Sequence, residues 1–546
     1  MKYIFVSGGV ISGIGKGIAT ASIALLLKSA GFKVAPLKMD PYLNVDAGTM
    51  NPLEHGEVFV LDDGAETDQD LGHYERFLGE SLNKSNIATQ GDIYLSVIQR
   101  ERNLEYEGKC VEVVAHVTEE IIRRIQDAGR SKNADIVLVE IGGTTGEYQN
   151  LLFLEANRLL KLKKHDDVLH IHVTYLPIPS FLGEMKSKPA QMSVRDLHSV
   201  GIQPDIILAR AEKPLDETRI KKLAFFTGLE TEDVISAPDV RNVYEVPVNF
   251  DEGGLTNRIL EKLKLKRKHK DLKTWRVFLK KMQSAQKQVK IAIVGKYFST
   301  GDFTLVDSYI SVIEALKHAA FTLGFKPEIA WIDSGKLLKD INQLKTYQGI
   351  IVPGGFGSRD IEGKIEAIKY CRENKIPYFG LCYGMQLSVV EYARNVLGWK
   401  GANTTEVDSD TKYPVIHIMS DQQKKLLKKD YGGTMRLGAW ECKLKAGSLV
   451  RKLYGTFGKL SAGKSRISER HRHRYEFNND FLEKFLSNGL TISGTSPDGK
   501  LVEIIELKNH PFFVGTQFHP ELKSRPLEPH PLFLGFVKAA AKIDPY

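Results

Sequence analysis

One stretch constrains this chain more than any other: a short apolar run, residues 376–379, ends in a Gly-x-Cys-x-Gly motif over residues 380–384. Apolar positions at helical spacing follow, so the stretch predicts a buried strand, a sharp turn and a helix. The two glycines suit that turn because larger side chains would clash beside the central Cys382. At a helix N-terminus, free N–H groups and the helix dipole favour a thiolate. We therefore expect Cys382 to be a nucleophile, although an arbitrary free cysteine is more often a buried core residue.

Two further motifs supply the groups that a thiolate nucleophile needs. Near the end of the chain, an apolar strand over residues 514–518 ends in His519-Pro520-Glu521. Glu521 can hold the His519 imidazole in one tautomer, so Cys382, His519 and Glu521 form a predicted triad. A second strand, residues 349–352, ends in Pro-Gly-Gly-Phe-Gly over residues 353–357, whose backbone N–H groups can bind an oxyanion.

Together these motifs resemble the class I, or triad, glutamine amidotransferases. The resemblance implies hydrolysis of glutamine to glutamate with release of ammonia. It also implies that Gly355 and the N–H of Tyr383 form the oxyanion hole. The residues that it assigns to the amino-acid end of glutamine are Gln386, Glu406 and Arg474. Arg474 lies in an arginine-histidine run, residues 470–476, for which a structural polar network is the alternative interpretation.

Length and composition limit what else the chain can be. Its 546 residues are too many for one hydrophobic core and suit two domains of a few hundred residues each. Four cysteines without paired or metal-ligand spacing favour a reducing compartment. The N-terminal apolar run is too short for a signal peptide, and no run approaches the about 20 residues of a membrane span. We therefore expect a cytoplasmic protein with no membrane partner.

The formal charge of +9 is spread along the chain except in one basic run, residues 261–270. Nucleic-acid binding is one interpretation of such a run. A solvated helix end and interdomain linker is favoured, because no aromatic residues are interleaved for base stacking. We therefore expect no nucleic-acid partner.

The N-terminus carries a phosphate-binding pattern. A buried strand over residues 3–7 leads into the glycine-rich loop 8–17 and then an apolar helix, a geometry in which Lys16 reaches terminal phosphates. The strict phosphate-loop pattern fails, however, because Gly17 stands where a Ser or Thr would bind magnesium. Two acidic candidates for the metal are the loop 62–70 and Glu140, which ends a buried strand. For the acidic loop taken alone, a solvated surface is the alternative.

A lysine-rich loop, residues 183–191, with Lys222 further on, has the composition of a site for an anion and a base edge. With the glycine-rich loop, Lys38-Met39-Asp40-Pro41-Tyr42 and Leu71-Gly72-His73-Tyr74-Glu75-Arg76, it resembles the synthetase domain of the CTP synthase family. The resemblance covers nearly the whole chain except the linker. It implies that ATP phosphorylates the 4-oxygen of UTP and that ammonia displaces the phosphate to give CTP.

The same resemblance assigns residues and partners. ATP binding is assigned to Gly13, Ile14, Gly15, Lys16, Gly17, Ile18, Lys38, Asp70 and Asp239. UTP and CTP binding is assigned to Ser12, Glu147, Tyr148, Gln149, Lys186, Ser187, Lys188, Pro189, Ala190, Gln191 and Lys222. Magnesium is assigned to Asp70 and Glu140, and GTP, as an allosteric activator, to Arg359 and Arg436. CTP is implied as a feedback inhibitor, and the family's homotetramers and filaments are implied as assemblies.

The chain departs from the family pattern at four places. After Gly146 the chain has Glu147, Tyr148 and Gln149 where the family usually has an acidic residue, Ile and Glu. Gln149 can donate a hydrogen bond where a carboxylate only accepts, so we expect weakened feedback by CTP. The other departures are Met192 for a common His, Tyr383 for a common Leu, and Pro238 for a common charged residue.

We predict an α/β enzyme with two domains joined by a basic linker. Residues 1–265 form a phosphate-loop, ATPase-like synthetase domain with a parallel, Rossmann-like sheet. The linker is residues 266–289, and residues 290–546 form a flavodoxin-like glutaminase domain. Two alternatives remain: an amidotransferase that amidates a cofactor carboxylate, and a filament protein without turnover. The lysine-rich loop argues against the first, and the intact Cys382 and Lys16 argue against the second.

Overall fold

The computed structural model describes residues 1–268, 272–296, 299–300, 303–304, 306–419, 422–424, 432–458 and 465–542. Contacts divide the chain into two compact units. Unit 1 contains residues 1–46 and 70–279, and unit 2 contains residues 47–69 and 280–546.

The strands are numbered in chain order. They are β1 (Lys2–Gly8), β2 (Val34–Asp40), β3 (Phe59–Val60), β4 (Glu66–Thr67), β5 (Ile87–Thr89), β6 (Ile136–Ile141), β7 (Val168–Tyr175), β8 (Ile206–Ala211), β9 (Val234–Pro238), β10 (Lys287–Gly295), β11 (Ser299–Thr300), β12 (Phe303–Thr304), β13 (Phe325–Asp333), β14 (Gly349–Val352), β15 (Tyr378–Leu381), β16 (Asn403–Thr404), β17 (Pro414–Ile418), β18 (Arg436–Leu444), β19 (Arg466–His473), β20 (Tyr475–Phe477), β21 (Leu490–Thr495), β22 (Val502–Leu507) and β23 (Phe513–Thr516).

The α-helices are numbered in the same way. They are α1 (Lys16–Ser29), α2 (Pro52–His55), α3 (Gln69–Leu78), α4 (Gln90–Arg102), α5 (Thr118–Ser131), α6 (Leu151–Lys163), α7 (Lys188–Ser199), α8 (Glu217–Thr227), α9 (Val246–Glu252), α10 (Leu255–Lys262), α11 (Lys273–Ser284), α12 (Ile310–Thr322), α13 (Ser334–Leu337), α14 (Ile361–Asn374), α15 (Tyr383–Asn395), α16 (Leu449–Phe457), α17 (Leu482–Ser487) and α18 (Pro531–Ala540).

Unit 1 is built on a seven-stranded sheet in the order β5-β2-β6-β1-β7-β8-β9, with every pairing parallel. Its central strands are apolar without alternation, as expected when helices cover both faces. β6, for example, is buried at every position of Ile-Val-Leu-Val-Glu-Ile. In such a sheet, ligands gather beyond the carboxyl ends of the strands, where β1 leads into the glycine-rich loop and β6 ends beside Glu140.

Unit 2 is built on a nine-stranded sheet in the order β13-β10-β14-β15-β23-β22-β21-β18-β19. The first five strands are parallel, and taken by themselves they have the 2-1-3-4-5 order of a flavodoxin-like sheet. The remaining pairings are antiparallel. The nucleophile motif follows β15 and the His-Pro-Glu motif follows β23. Because these strands are parallel neighbours, their ends bring the two motifs together.

One segment of the predicted first domain belongs to unit 2. Residues 47–69 lie with the C-terminal half, since Arg470 pairs with Asp62 at 2.6 Å and Arg472 pairs with Glu66 at 2.8 Å. Nothing in the order of the chain indicates this, because the carboxylates and arginines are about 400 positions apart.

The predicted linker is also structured over much of its length. Helix α11 occupies its middle, residues 273–284. Trp275 of this helix is buried in an aromatic cluster of unit 1, with its indole N–H 2.8 Å from the carbonyl oxygen of Tyr244. Residues 269–271 of the linker, the first two of which also belong to the basic run, lie outside the described residues.

Candidate active sites

The cysteine motif forms the sharp turn that its glycines predict. Cys382 lies between β15 and α15 with φ +48°, ψ −98°, a strained backbone for a residue with a side chain. A Cβ at Gly384 would be 2.1 Å from the carbonyl oxygen of Val352, so only glycine allows α15 to approach β14 this closely. The Cys382 N–H donates to the carbonyl oxygen of Thr516 at 2.7 Å, which ties the turn to β23.

The His-Pro-Glu motif supplies a paired histidine at this turn. Nδ1 of His519 lies 2.7 Å from Oε1 of Glu521. Burial opposes a charged imidazole, but the negative groups of Glu521 and Cys382 prevail and hold the pKa of His519 well above its ordinary 6.5. The histidine is therefore set to hold a proton next to the sulfur, as a cysteine–histidine ion pair requires.

The glycine-rich loop after β14 lies against both catalytic groups. A Cβ at Gly354 would be 2.9 Å from Cε1 of His519 and 3.9 Å from Cβ of Cys382, so a side chain there would fill the site. The Tyr383 hydroxyl donates to the carbonyl oxygen of Gly357 at 2.8 Å. Tyr383, one of the departures from the family pattern, thus holds the loop by a contact that leucine could not make.

A cavity of about 100 Å³ opens at this point. Its lining includes Gly354, Gly355, Phe356, Cys382, His519 and Glu521. Cys382 itself is only 5% exposed, so a substrate that reaches the sulfur is shielded from bulk water.

The three residues assigned to the amino-acid end of glutamine have partners within unit 2. Glu406 Oε1 accepts a hydrogen bond from the N–H of Gly357 at 2.6 Å. The Gln386 amide nitrogen donates to the Tyr475 carbonyl oxygen at 2.8 Å and to Gln517 Oε1 at 3.2 Å. The Arg474 guanidinium donates to Gln422 at 2.7 Å. Glu406 thus contacts the glycine-rich loop through Gly357, whereas the side-chain nitrogen of Gln386 is already hydrogen-bonded to Tyr475 and Gln517.

The two arginines assigned to GTP differ in exposure. The side chain of Arg359 is 78% exposed and pairs with Asp360 at 3.0 Å. Arg436 is buried and pairs with buried Glu503 at 2.8 Å. A nucleotide can contact Arg359 directly, whereas Arg436 is enclosed by the protein and its Nη2 is engaged by Glu503.

In unit 1 the glycine-rich loop turns directly into α1. Gly13 and Gly15 have φ +71° and +90°, left-handed conformations that glycine adopts without strain. Lys16 begins the helix, is largely buried, and donates to the Gly143 carbonyl oxygen at 2.5 Å. Ile14, Gly17 and Ile18 complete the loop and first turn assigned to ATP.

The structure explains why Gly17 breaks the strict phosphate-loop pattern. A Cβ at Gly17 would lie 1.9 Å from Oδ1 of Asp70. The carboxylate of Asp70 therefore occupies the space that a Ser or Thr side chain would need. In this loop an acidic oxygen from α3 stands where a hydroxyl is usual.

Asp70 belongs to a buried charged cluster at the carboxyl ends of β2 and β6. The Lys38 ammonium contacts Asp70, Glu140 at 3.0 Å and Asp40 at 3.5 Å, and the Tyr74 hydroxyl donates to Glu140. Carboxylate oxygens converging on one cation are a donor set that suits magnesium. Among the described residues, no group of three or more His, Cys, Asp or Glu is arranged to hold a metal by itself. The set therefore fits a metal that takes its other ligands from phosphate oxygens and water.

The members of this cluster titrate differently. Burial raises the pKa of Asp40 to about 6 and also raises the pKa of Glu140, with Lys38 opposing both. For Asp70 burial acts in the same direction, but Lys38 and His73 prevail and lower the pKa. Burial lowers the pKa of Lys16. Asp70 is therefore the most firmly ionised carboxylate of the three.

The residues assigned to the pyrimidine nucleotide surround the start of α7 and the loop after β6. The Gln191 amide donates to Ser187 Oγ at 3.1 Å, and Lys186 pairs with Glu184 at 2.8 Å. The Gln149 amide donates to Glu147 at 2.8 Å, and Tyr148 is 90% exposed. The remaining members are Ser12, Lys188, Pro189, Ala190 and Lys222, of which Ala190 is buried.

Sequence reasoning missed several residues at these sites. Arg210 on β8 donates to the Ile14 carbonyl oxygen at 3.2 Å and pairs with Asp239, so it joins the phosphate loop to a residue assigned to ATP. Lys364, in the first turn of α14, is fully buried with its ammonium 5.3 Å from the ring centre of Tyr383. Arg210 and Lys364 belong to no motif, so the sequence gives no signal that they lie at a site. Asp40 lies within the motif of residues 38–42 and Gln517 within the predicted strand that precedes His519, so both could have been identified as candidate site residues.

Comparisons with known proteins agree with both halves of the chain. A family model described as CTP synthase N-terminus matches residues 2–265, and one described as glutamine amidotransferase class-I matches residues 304–539. A CTP synthase of Caldanaerobacter subterraneus is 51% identical over 98% of each chain, and one of Sulfolobus acidocaldarius is 50% identical over 99% of each chain. The solved glutaminase domain of Trypanosoma brucei CTPS with bound acivicin is 36% identical and covers 47% of this chain and 96% of that chain at a TM-score of 0.42.

Fold, site geometry and sequence matches together define a class I glutamine amidotransferase joined to an ATP-using synthetase. The chain belongs to the CTP synthase family, whose reaction is the glutamine-dependent conversion of UTP to CTP. The predicted α/β fold class, the family and the ligase activity are thereby confirmed, and the cofactor-amidating alternative is excluded. Along the part of the chain that the structure describes, no helix has the length and apolar character needed to cross a membrane.

Proposed function

We propose that Cys382, His519 and Glu521 carry out glutamine hydrolysis in unit 2. The sulfur attacks the side-chain carbonyl carbon of glutamine, and His519 gives its proton to the departing ammonia. Water then attacks the thioester, and His519 takes the proton that water loses. The contact of 2.7 Å between His519 and Glu521, with the raised pKa of His519, is the observation that carries this proposal.

The glycine-rich loop and the helix N-terminus complete the proposed glutaminase site. The N–H groups of Gly355 and Tyr383 bind the oxygen that becomes negative when sulfur attacks. Glu406 accepts from the ammonium group of glutamine, and Arg474 pairs with its carboxylate. In the structure Glu406 accepts from Gly357, so glutamine would take over part of that interaction.

In unit 1 we assign Lys16 and Lys38 to the phosphates of ATP, with the loop 13–18 and Asp239 around the nucleotide. Asp70 and Glu140 would hold magnesium, which would neutralise charge on the transferring phosphoryl group. Lys186, Gln191, Lys222 and the neighbouring residues of the pyrimidine set would bind UTP. Their lysines match the triphosphate, and the Gln191 amide can pair with a base edge.

Regulation, assembly and location extend the proposal. GTP activates glutamine hydrolysis through a site that includes Arg359, whose exposed guanidinium suits a phosphate. CTP inhibits at the pyrimidine site. The active form is a homotetramer that can form filaments, and the enzyme works in the cytoplasm, where its nucleotide substrates are found. Resemblance to the family supports these four statements.

One experiment tests whether glutamine hydrolysis and CTP synthesis depend on separate sites. CTP formation is followed by absorbance with UTP, ATP and magnesium, and with either glutamine or ammonium chloride, for wild type and Cys382→Ala. We expect both nitrogen sources to serve wild type and only ammonium chloride to serve the variant. CTP formation from glutamine by Cys382→Ala would refute the assigned nucleophile. Failure of wild type with both sources would favour an assembly protein without turnover.

A further inference from the structure

A side chain outside the triad reaches the nucleophilic sulfur. Gln517 follows β23 directly and is 1% exposed, and its backbone N–H donates to the Glu503 carbonyl oxygen at 2.8 Å. Its side-chain amide nitrogen lies 3.5 Å from Sγ of Cys382, within hydrogen-bond range for sulfur. The residue is therefore buried with a polar group within hydrogen-bond range of the reacting atom.

The orientation of this amide is fixed by its neighbours. The Tyr475 carbonyl oxygen can only accept, so the atom of Gln386 that lies 2.8 Å from it must be nitrogen. The same nitrogen faces Gln517 at 3.2 Å, so the oxygen of Gln517 must point towards Gln386. The nitrogen of Gln517 is then left to face the sulfur. A backbone carbonyl thus sets, through two amides, which group meets Cys382.

We propose that Gln517 is a further catalytic residue that donates a hydrogen bond to the Cys382 sulfur, and that Gln386 is the positioning residue that orients it. This inference rests on the proposed role of Cys382 as the glutaminase nucleophile. The two side-chain N–H groups of Gln386 donate to Tyr475 and Gln517, so Gln386 acts through Gln517. This role differs from the direct contact with glutamine that the family resemblance implies for Gln386.

The chemistry needs such a donor at two moments. Before attack the sulfur is a thiolate, and an N–H donor stabilises it without taking its negative charge. When water adds to the thioester carbon, the carbon–sulfur bond breaks, the electron pair stays on sulfur, and the proton of water goes to His519. The sulfur is negative again at that point, and the same N–H group of Gln517 donates a hydrogen bond to it. Hydrogen bonds to charged groups are about twice as strong as neutral ones.

The test compares Gln517→Glu and Gln517→Met with Gln348→Glu in the full-length chain. A carboxylate or a thioether at 517 cannot donate to sulfur. The control makes the same amide-to-carboxylate change at Gln348, whose side-chain oxygen accepts from the Lys290 N–H at 2.9 Å and can still do so as a carboxylate. Alkylation of Cys382 by iodoacetamide is followed by mass spectrometry from pH 6 to 10, beside glutamine-dependent and ammonia-dependent CTP formation.

We expect both Gln517 variants to alkylate about tenfold to hundredfold more slowly at neutral pH, with glutaminase kcat lower by a similar factor. KM for glutamine should change little, and ammonia-dependent activity should stay at the wild-type level. Gln386→Met should give a smaller loss of kcat. A rise of KM alone in Gln386→Met would instead indicate direct contact with glutamine and overturn its positioning role.

The donor role of Gln517 is overturned if both of its variants alkylate as fast as Gln348→Glu across the pH range. Misfolding of unit 2 in a variant would show as a lower midpoint of thermal unfolding than that of Gln348→Glu, and the second substitution at 517 then decides. Failure of the underlying triad would look different, because Cys382→Ala would retain glutamine-dependent synthesis.

Discussion

Lys364 shows what burial does to a single charged residue beside the glutaminase site. The side chain is fully enclosed, and its ammonium has no hydrogen-bond partner among the described residues. Burial, aided by the charge of Lys296, lowers its pKa from 10.5 to about 7, while Asp360 and Glu406 act in the opposite direction. The folded protein therefore holds an amine that titrates close to neutral pH.

The first prediction concerns stability in the variant Lys364→Met. Below pH 7 the lysine is charged in both states, so wild type carries the full cost of its burial. Between about pH 7 and 10.5 only the unfolded state keeps the proton, so wild-type stability rises with pH. Lys364→Met should be more stable than wild type by up to roughly 5 kcal/mol below pH 7, and the difference should vanish near pH 10.5.

Urea unfolding of both proteins across this pH range measures the difference. Lys369→Met, on the same helix, is the control for loss of a less buried lysine. A stability difference that does not depend on pH would show that Lys364 keeps its charge in the folded state.

The second prediction concerns CTP feedback at Gln149. Its amide can donate to Glu147, as it does in the structure, whereas a glutamate could only accept, which suits the 4-amino group of CTP. Gln149→Glu should strengthen inhibition by CTP about tenfold, as expected for one gained hydrogen bond to a charged group. Dose-response curves with wild type and with Gln126→Glu as the charge control measure this, and equal inhibition in all three would disprove it.

At the scale of elements, the strand-turn-helix around Cys382 depends on how closely α15 approaches β14. The backbone of Val352 is the obstacle at Gly384, and a strand in the centre of a sheet cannot shift without disturbing its neighbours. Gly455, in α16, is different because a Cβ there would meet nothing within 4 Å. Two glycines in helices of one unit therefore have opposite roles.

The third prediction uses this contrast. Gly384→Ala should destabilise unit 2 by about 1 to 3 kcal/mol and abolish glutamine-dependent synthesis, because the turn that presents Cys382 cannot form. Gly455→Ala should stabilise by about 0.5 to 1 kcal/mol, because alanine loses less backbone entropy in a helix. Thermal unfolding and activity with ammonia or glutamine measure both effects. Equal stability of the two variants would contradict the close approach at Gly384.

At the scale of the whole molecule, the chain leaves unit 1 after residue 46 and returns at residue 70. The excursion is held to unit 2 by the pairs of Asp62 with Arg470 and Glu66 with Arg472, and by the backbone bond from Ala439 to Asp62 at 2.9 Å. Residues 280–546 by themselves thus lack a part of their own unit, and Arg470 would lose its buried ion pair.

The fourth prediction follows from this excursion. A synthetic peptide of residues 47–69 should bind the fragment 280–546 and raise its stability by about 1 to 3 kcal/mol at saturation, since a ligand of the folded state stabilises it by mass action. The same peptide with Asp62→Asn and Glu66→Gln should bind more weakly. Thermal unfolding with each peptide gives the result, and no shift with the unmodified peptide would show that the segment does not stabilise the unit.

The sequence by itself determined the fold class, the family and the two reactions, glutamine hydrolysis and the ATP-dependent conversion of UTP to CTP. Short motifs such as Gly-x-Cys-x-Gly and His-Pro-Glu suffice for this, because each encodes a local turn and a reactive group within a few residues. The neighbourhood of β15 and β23 then follows from the fold class, which brings Cys382 and His519 together. Individual ligand assignments rest on resemblance and stay predictions.

Only the tertiary structure decided which distant groups share a site. It placed Asp70 in the space that Gly17 leaves open, buried Lys364 beside Tyr383, set the Gln517 amide on the Cys382 sulfur, and joined residues 47–69 to unit 2. None of these contacts is local in sequence. They arise from packing between elements, where the orientation of one side chain depends on several others, and no single stretch of the chain carries that information.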